Sequence, residues 1–424
     1  MLEVEPLRGV LYDPDRAGPL DRLLAPPYDV ISPAEREALA ARSPHSIVHL
    51  ILPAGEGDAR YAAAAALYRE WFASGILRRD TQPAIYRYQQ SYTAEGRSFT
   101  RTGFISRVRL RRFAERVVLP HERTMSAPKA DRLKLTRACG AWFSQVFALY
   151  SDPAGETEVP FAEIAERPAE LEARTDDGTT HRLWRLTDSR AQRQLAAAIS
   201  SRRAYIADGH HRYETMLALR DELGGEDAQF GPLFLCRMED PGLRVLATHR
   251  IVHALESFDL KRLLAAAGEF FEVHESRFAE PDAVRAELER RGCQGPVLGL
   301  AAGQQLFFLS LRPGAEQAVG GPAVLRRLDV TLLHALLIER ILGIDRAAQE
   351  KQSHLRYVKD LGQALRDARA PGVQAAFLLN PTRVTDLQSV ADAGEVMPQK
   401  STYFFPKLAS GLVDYPVRDP ASPS

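Results

Sequence analysis

An apolar run that ends in Asp208-Gly209, followed by two histidines and an arginine, constrains the fold more than any other segment of this chain. Residues 204–207 predict a short buried strand, Gly209 allows a tight turn, and a helix is expected to open at His210. Such a strand-turn-helix places a carboxylate, backbone N–H groups and the Arg212 guanidinium at one helix N-terminus. That arrangement is a natural site for an anion such as phosphate.

The residues of this turn form the first candidate site. Gly209, His210, His211 and Arg212 are candidate phosphate-binding residues, because helix N–H groups and a bidentate guanidinium both bind phosphate oxygens. Asp208 is suited to hold Mg²⁺ or to accept a proton from a substrate hydroxyl. The alternative is that Asp208 is only a helix cap and Arg212 a surface residue. We favour function, because two histidines beside an arginine crowd an already positive helix end.

A second cluster of ionisable residues spans 120–132 and begins as a loop after Pro120. His121 and Glu122 are a candidate acid/base or metal pair, and Lys129 and Arg132 are candidate phosphate ligands. The alternative is a solvated charged loop, the usual role of a charge run. The sequence does not separate the two interpretations.

A third segment, residues 397–407, contributes Lys400 as a candidate phosphate ligand. The glycine framework that precedes the lysine of a P-loop is absent, so that motif is rejected. An extended segment that buries Tyr403 and Phe405 is the simpler expectation. Arg250, in a predicted strand, is a charge partner either for the site or for a core carboxylate, and the sequence leaves both open.

Charge and composition narrow the class of protein. Lys plus Arg and Asp plus Glu each number 55, and this zero balance argues against a nucleic-acid partner. Cys139, Cys236 and Cys293 form no metal or disulfide framework and fit a reducing compartment. The first residues lack the pattern of a signal peptide, and no apolar run approaches bilayer length. We therefore expect a cytoplasmic protein with no membrane partner.

The order of predicted elements indicates an α+β fold with mixed, largely antiparallel sheets and helices. Turn residues between apolar runs predict hairpins, a further strand pair and one long amphipathic helix. The hairpins span 84–110, 171–186 and 297–311, the strand pair 233–252, and the helix 324–342. The expected regions are 1–152, 153–228 and 229–424.

Six blocks identify a family resemblance. They are Ala25-Pro26-Pro27-Tyr28-Asp29-Val30-Ile31, Pro120-His121-Glu122, Pro128-Lys129 with Asp131-Arg132, Ile206 to Tyr213, Thr248-His249-Arg250, and Met397 to Tyr403. Through them the chain resembles, along nearly its whole length, a widespread bacterial family of uncharacterised proteins. That family carries no established activity to this chain.

The Gly209–Arg212 turn also resembles the Gly-x-x-Arg phosphate motif of ParB-like and sulfiredoxin-like proteins. That superfamily includes nucleotide-binding partition proteins, an ATP-using sulfinic acid reductase and a kinase acting on free serine. In the serine kinase an Asp also precedes the Gly, as Asp208 does here, whereas the reductase has a catalytic Cys where this chain has His210 or His211. The resemblance implies a ParB/sulfiredoxin-like core and nucleotide binding.

The leading hypothesis is a small-molecule kinase that uses ATP or ADP and Mg²⁺ and phosphorylates a hydroxyl, with free serine the first candidate by analogy. Asp208 is then the metal ligand or base, Lys129 and Arg132 neutralise the transferring phosphoryl group, and His121 or Glu122 orients the acceptor. Two alternatives stay open: a nucleotide-sensing protein without turnover, and a metal-dependent hydrolase that uses His121, Glu122 and Asp208.

Overall fold

The chain passes repeatedly between two folding units. The structure, a computed structural model, describes residues 1–122, 126–398 and 400–418, with the side chains of 126–128 and 350 outside that description. Within these ranges unit 1 comprises residues 1–120, 126–244 and 406–418, and unit 2 comprises residues 121–122, 245–398 and 400–405. The division into regions 1–152, 153–228 and 229–424 stays a prediction.

The helices and strands of the described residues are as follows. The strands are β1 (Val4–Glu5), β2 (Val10–Tyr12), β3 (Leu77–Arg79), β4 (Ile85–Ala94), β5 (Arg97–Arg109), β6 (Val118–Leu119), β7 (Ala141–Trp142), β8 (Val146–Tyr150), β9 (Leu171–Arg174), β10 (Thr180–Leu186), β11 (Ala204–Asp208), β12 (Phe230–Arg237), β13 (Arg244–Leu246), β14 (His249–His253), β15 (Phe271–Ser276), β16 (Val297–Ala302), β17 (Gln305–Leu311), β18 (Leu355–Val358), β19 (Val373–Leu378), β20 (Tyr403–Phe405) and β21 (Tyr415–Pro416). The α-helices are α1 (Pro14–Ala17), α2 (Pro33–Arg42), α3 (Val48–Ile51), α4 (Ala59–Ala73), α5 (Ser126–Cys139), α6 (Ala162–Ala165), α7 (Ser189–Ile199), α8 (His210–Leu223), α9 (Leu260–Ala267), α10 (Pro281–Gly292), α11 (Ala323–Arg326), α12 (Asp329–Leu332), α13 (Arg346–Lys351), α14 (Leu361–Asp367) and α15 (Val384–Asp392).

Unit 1 is built on a large, mostly antiparallel sheet with the strand order β6-β11-β8-β12-β5-β4-β10-β9, and β1 adds to β5. Among the described residues of this sheet, only the β11–β6 and β12–β8 pairs are parallel. The predicted hairpins β4–β5 and β9–β10 are confirmed, because aromatic and β-branched residues alternate on strands joined by tight turns. The fold is α+β with largely antiparallel sheets, as predicted, and the ParB/sulfiredoxin-like core stays a prediction.

Local chemistry fixes the start of α2 in unit 1. Ser32 caps α2 through a capping box with Glu35, and Pro33 occupies the first helical position. Helix α4 buries Tyr61, Tyr68 and Trp71. Helix α5 packs against both α4 and α8. This packing brings the charged residues of α5 beside the turn that opens α8.

Unit 2 contains an antiparallel sheet with the order β15-β17-β16-β19-β14-β18. Its apolar face packs on α10 and α14 around a buried core that includes Ile251, Val284 and Leu365. The predicted β16–β17 hairpin is confirmed. Within the described ranges, none of the helices has both the length and the apolar character needed to span a bilayer.

The predicted pairing of 233–238 with 244–252 is wrong. Strand β12 pairs with β5 and β8, and β14 pairs with β18 and β19. The turn between them does not form a hairpin because it lies against another strand: a Cβ on Gly242 would be 2.1 Å from the Thr100 carbonyl oxygen. The Tyr92 hydroxyl also donates to the Gly242 carbonyl at 2.7 Å.

The predicted helix over 324–342 is interrupted. Helix α11 ends at Arg326, Leu328 is extended, and α12 starts at Asp329. From Leu333 to Ile341 the backbone is π-helical. The π-helical stretch buries both Leu333 and His334, so polar and apolar side chains share its inner face.

Candidate functional site

The turn between β11 and α8 has the predicted form and depends on a glycine. Gly209 is in the left-handed region with φ 93° and precedes the first residue of α8. A Cβ at this position would be 2.8 Å from Arg212 Nε and 2.9 Å from its Cζ. The backbone conformation therefore favours glycine, and a Cβ would in addition push the Arg212 guanidinium out of its position.

Asp208 is held between two cations. Arg212 Nη2 donates to its Oδ2 at 2.5 Å, and Lys407 Nζ donates to its Oδ1. Burial raises the pKa of the Asp208 carboxyl, but the charges of Lys407 and Arg212 outweigh burial and hold it well below its usual range. Gly209 occupies the N-cap position without a side-chain cap, so the interpretation of Asp208 as only a helix cap is wrong.

Arg212 and Arg132 line one pocket, which we call the Arg212 pocket. Arg212 is 4% exposed and Arg132 is 7% exposed, and Tyr28, Thr136, Ser144 and Ser410 complete the polar part of the wall. The Arg132 guanidinium stacks on the Tyr28 ring, with its Cζ 4.0 Å from the ring centroid. Burial raises the pKa of the Tyr28 hydroxyl, whereas the charges of both arginines lower it, so both guanidinium groups act on the same hydroxyl.

Each arginine of this pocket is fixed by a carboxylate and a carbonyl. Arg132 donates to Asp131 and, at 2.7 Å, to the Ile51 carbonyl. Arg212 donates to Asp208 and to the Gln145 carbonyl. These contacts hold both guanidinium groups in position without a ligand, which is the preorganisation that anion binding needs.

Lys129 of α5 forms an ion pair with a residue of α8, close to the glycine turn. Its Nζ lies 2.5 Å from Glu214 Oε2, so α5 and α8 are joined by an ion pair. The two side chains are 34% and 27% exposed. An ion pair of this exposure contributes little to stability, and its position beside the turn is what keeps Lys129 a candidate phosphate ligand.

His210 and His211 are the first two residues of α8 in unit 1, whereas His121, Glu122 and Lys400 lie in unit 2. His121 is fully buried, and its Nε2 is 2.9 Å from Thr402 Oγ1. The Lys400 N–H donates to Glu122 Oε1 at 3.3 Å. The blocks at 121–122 and 397–403 therefore meet each other, and the roles of His121, Glu122 and Lys400 in a site stay predictions.

Arg250 joins the same group of unit 2 residues and is buried. It donates to the Lys400 carbonyl at 3.1 Å and to His334 Nε2 at 3.2 Å. Burial lowers the pKa of Arg250 to about 10, and burial together with the Arg250 charge lowers the pKa of His334 to about 3. His334 is therefore neutral and accepts the hydrogen bond from the guanidinium.

The register predicted for the 397–407 segment is wrong by one residue. Tyr403 and Phe405 are half-buried, whereas Phe404 is buried. In an extended segment a shift of one residue exchanges the two faces.

Among the described residues, three or more His, Cys, Asp or Glu side chains are nowhere grouped closely enough to hold a metal ion.

Lys407 and Tyr28 contact the candidate site in the structure, but the sequence analysis assigns neither of them to it. Lys407 lies at the end of the third segment and contacts Asp208 across 199 positions. Tyr28 lies in the first family block, within a short 3₁₀ helix at Tyr28–Val30. A lysine just beyond a motif and a tyrosine after two prolines were the only local signals for them.

The comparisons place the chain in a family. It belongs to the family described as "Protein of unknown function (DUF1015)", whose model matches residues 4–331. The predicted membership of an uncharacterised family is confirmed. The search of curated proteins gave no match.

Several solved structures are similar to this chain. Free serine kinase in complex with AMP is 15% identical, with a TM-score of 0.35 over 68% of this chain and 83% of that one. A conserved hypothetical protein from Pyrococcus furiosus is 15% identical, with a TM-score of 0.35 over 69% and 89%. SbnI from Staphylococcus aureus, truncated at its C-terminus, is 9% identical, with a TM-score of 0.37 over 73% and 86%.

A matched pair of glycine variants tests the role of Gly209. Gly178 also has a positive φ, 80°, but a Cβ there would meet nothing within 4 Å. Gly178→Ala should therefore cost only the backbone strain, about 1–2 kcal/mol. Gly209→Ala should cost more, because it also displaces Arg212 from Asp208, and urea unfolding measures the difference. Equal losses in the two variants would show that Arg212 is not held by this contact.

Proposed function

We propose that the protein binds a nucleoside di- or triphosphate with its phosphates at the Arg212 pocket and transfers a phosphoryl group to a small hydroxyl-bearing metabolite. The observation that carries the proposal is the pair of buried guanidinium groups on one pocket wall, beside the glycine turn that opens α8. Buried arginines fixed in a fork geometry are the usual ligands of phosphate oxygens.

The charge balance around the pocket supports an anionic ligand. Arg60 and Arg132 share Asp131, and Arg212 and Lys407 share Asp208. Each of these two carboxylates is therefore shared by two cations, and the Arg60–Asp131 pair is partly exposed. An anion that binds the cations in the folded chain would stabilise the fold by mass action.

The pocket must widen to admit a phosphate. Its free space of about 20 Å³ is enough for one water but not for a phosphate group. Tyr28 is half-buried and sits over Arg132, so outward movement of its ring would open the pocket. Nucleotide binding is then expected to change the environment of Tyr28.

The proposed chemistry needs positioning and charge stabilisation. The bond between the terminal phosphorus of ATP and its bridging oxygen breaks, a bond from the acceptor oxygen to phosphorus forms, and one proton is released. Arg132, Arg212 and Lys129 would stabilise the negative charge of the transferring group. An ionised Asp208 would fix Arg212 and Lys407, and the Mg²⁺ of the nucleotide would have to displace one of these cations to bind its carboxylate. Free serine is the first acceptor to test.

A nucleotide-sensing protein without turnover is the second candidate. Burial raises the pKa of Asp131, but Arg132, the Tyr61 hydroxyl and Arg60 lower it by more, so its pKa is below the ordinary value. The pKa of Asp208 is lowered as well. Two carboxylates of low basicity are poor proton acceptors, which favours binding over catalysis. Measurement of ADP formation from ATP with and without serine separates the two candidates.

Nucleotide binding is tested with two arginines of the same helix. Arg132→Gln should weaken ADP binding at least tenfold, since a charge-assisted contact contributes about 1.5–3 kcal/mol. Arg137→Gln is the control, because Arg137 is 46% exposed and pairs with Glu222 instead of lining the pocket. Isothermal titration with ADP, with and without Mg²⁺, measures both. Equal affinities in the two variants would remove Arg132 from the site.

A further inference from the structure

A second cavity adjoins the Arg212 pocket and shares Arg132 with it. We call it the Arg36 pocket. It has a volume of about 240 Å³, and its polar wall is formed by Ser32, Arg36, Arg60, Asp131 and Arg132. Its apolar wall includes Ile31 and Leu52. All of these residues belong to unit 1.

The wall of the Arg36 pocket carries an excess of positive charge. Three arginines face a single carboxylate, that of Asp131. Arg60 and Arg132 already bind Asp131, with Arg60 Nη2 2.7 Å from Asp131 Oδ1. The carboxylate therefore has no capacity to neutralise Arg36, and the cavity has two net positive charges.

Some hydrogen-bond donors of Arg36 and Arg60 have no acceptor among the described residues. Arg36 Nε donates to the Leu52 carbonyl at 3.1 Å, and the described residues offer no hydrogen bond to its two terminal nitrogens. In the described part of the chain, Arg60 Nε is buried and also has no hydrogen-bond partner. A buried donor without an acceptor is costly, and of these groups Arg60 Nε is the buried one. Together with the half-buried Arg36 guanidinium it indicates a ligand that supplies acceptor oxygens.

The size of the cavity limits the ligand. Sites for drug-sized molecules have volumes of roughly 300–1,000 Å³. A cavity of about 240 Å³ therefore suits a metabolite smaller than a nucleotide. The shared Arg132 places such a metabolite next to the proposed phosphate site.

We propose that the Arg36 pocket binds the phosphoryl acceptor, and that the acceptor is a small hydroxyl-bearing oxyacid whose carboxylate or phosphate binds Arg36 and Arg60. This inference rests on the proposed function. The acceptor hydroxyl faces Arg132 and attacks the terminal phosphorus of ATP. The bridging P–O bond breaks with its electron pair on the leaving ADP, and the hydroxyl proton passes to solvent.

Three probes that differ in one group test the charge requirement. D-glycerate carries a carboxylate, sn-glycerol 3-phosphate carries a phosphate, and glycerol carries neither. Isothermal titration of the full chain should detect binding of at least one anion and no binding of glycerol. The preferred anion identifies the oxyacid group. If neither anion binds more tightly than glycerol, the proposal is overturned.

Variants of Arg36 locate the binding. Arg36→Gln should weaken the preferred anion at least tenfold, and Arg36→Lys should weaken it less, because lysine keeps the charge but loses the planar fork. Arg190→Gln, on the exposed face of α7, is the matched control and should leave affinity unchanged. An anion affinity that Arg36→Gln leaves unaltered also overturns the proposal.

ADP separates this inference from the proposed function. Arg36→Gln should leave ADP affinity within about twofold, because Arg36 lines the Arg36 pocket and not the Arg212 pocket. Wild-type protein that binds D-glycerate through Arg36 but not ADP would contradict the nucleotide site and uphold the Arg36 pocket. Protein that binds ADP but neither anion would do the reverse.

Discussion

Asp208→Asn should lower phosphoryl transfer at least about a hundredfold, the usual effect of losing a positioned charge-stabilising group. The amide keeps the size of the side chain but removes the negative charge that holds Arg212 and Lys407. Nucleotide affinity should be unchanged or higher, because the phosphates no longer face a carboxylate. Turnover and ADP affinity measured on one preparation decide the result.

The same variant should be less stable without ligand. Removing one partner of a largely buried ion pair costs about 3–5 kcal/mol. Since ADP replaces the missing charge, it should raise the melting temperature of Asp208→Asn more than that of the wild type. Glu214→Gln is the control, because it removes the half-exposed partner of Lys129 on the same helix. Near-wild-type turnover in Asp208→Asn would move the search for the catalytic carboxylate to Asp131 or Glu122.

Asp208 also predicts a loss of stability in acid. Its pKa is lower in the folded chain than in the unfolded chain. The ionised form is therefore favoured by folding, and its contribution is present above the unfolded pKa of about 3.9. That contribution is lost as the pH falls from there through the folded pKa. Asp208→Asn should weaken this acid dependence in urea unfolding below pH 4.

Asp329→Asn should have the opposite pH dependence and a large effect on unit 2. Burial raises the pKa of Asp329 to about 7, with Asp386 adding to the shift and the Val297 N–H, Arg383 and Asn380 opposing it. The folded chain therefore keeps a proton that the unfolded chain releases near pH 4. The contribution of Asp329 to stability falls as the pH rises from about 4 to about 7.

Between about pH 4 and pH 7 the free energy of unfolding of the wild type should fall by on the order of 4 kcal/mol, because each unit of pKa shift corresponds to about 1.4 kcal/mol. The neutral amide of Asp329→Asn avoids it, so the variant should exceed the wild type in stability at pH 8 and not at pH 4. Urea unfolding at the two values tests this. Asp282→Asn is the control, since the Asp282 side chain is 93% exposed. A variant that is no more stable than the wild type at pH 8 would contradict the protonated state of the half-buried Asp329.

Sequence patterns predict the part of the candidate site that lies within one short stretch of the chain. The strand, the glycine turn and the start of α8 lie within about ten residues, so periodicity and turn chemistry were sufficient for Asp208, Gly209 and Arg212. Lys407 was not assigned to the site because its contact with Asp208 spans the chain, and nothing near Lys407 specifies that partner. Tyr28 was missed for the same reason.

The wrong fold predictions also concern the choice of strand partners that are distant in sequence. Strand β12 was correctly predicted as a strand, but its neighbours β5 and β8 are distant in sequence and its nearest following strand is not its partner. Similarly, the segment at 403–405 was predicted to be extended, but its buried face is that of Phe404. Periodicity identifies an element, whereas tertiary packing selects its partner and its register.

The discontinuity of unit 1 has a consequence for the order in which the protein is made. Residues 406–418, which carry Lys407 and strand β21, are synthesised after all of unit 2. During synthesis Asp208 and Arg212 emerge from the ribosome roughly 200 residues before Lys407, so the carboxylate has one of its two cations while the intervening chain is made. A nascent chain stopped at residue 405 would contain both arginines of the pocket and lack the lysine. Asp208 therefore gains its second cation only after residues beyond 405 have been made, and a chain stopped at that point keeps Arg212 as the cation on this carboxylate.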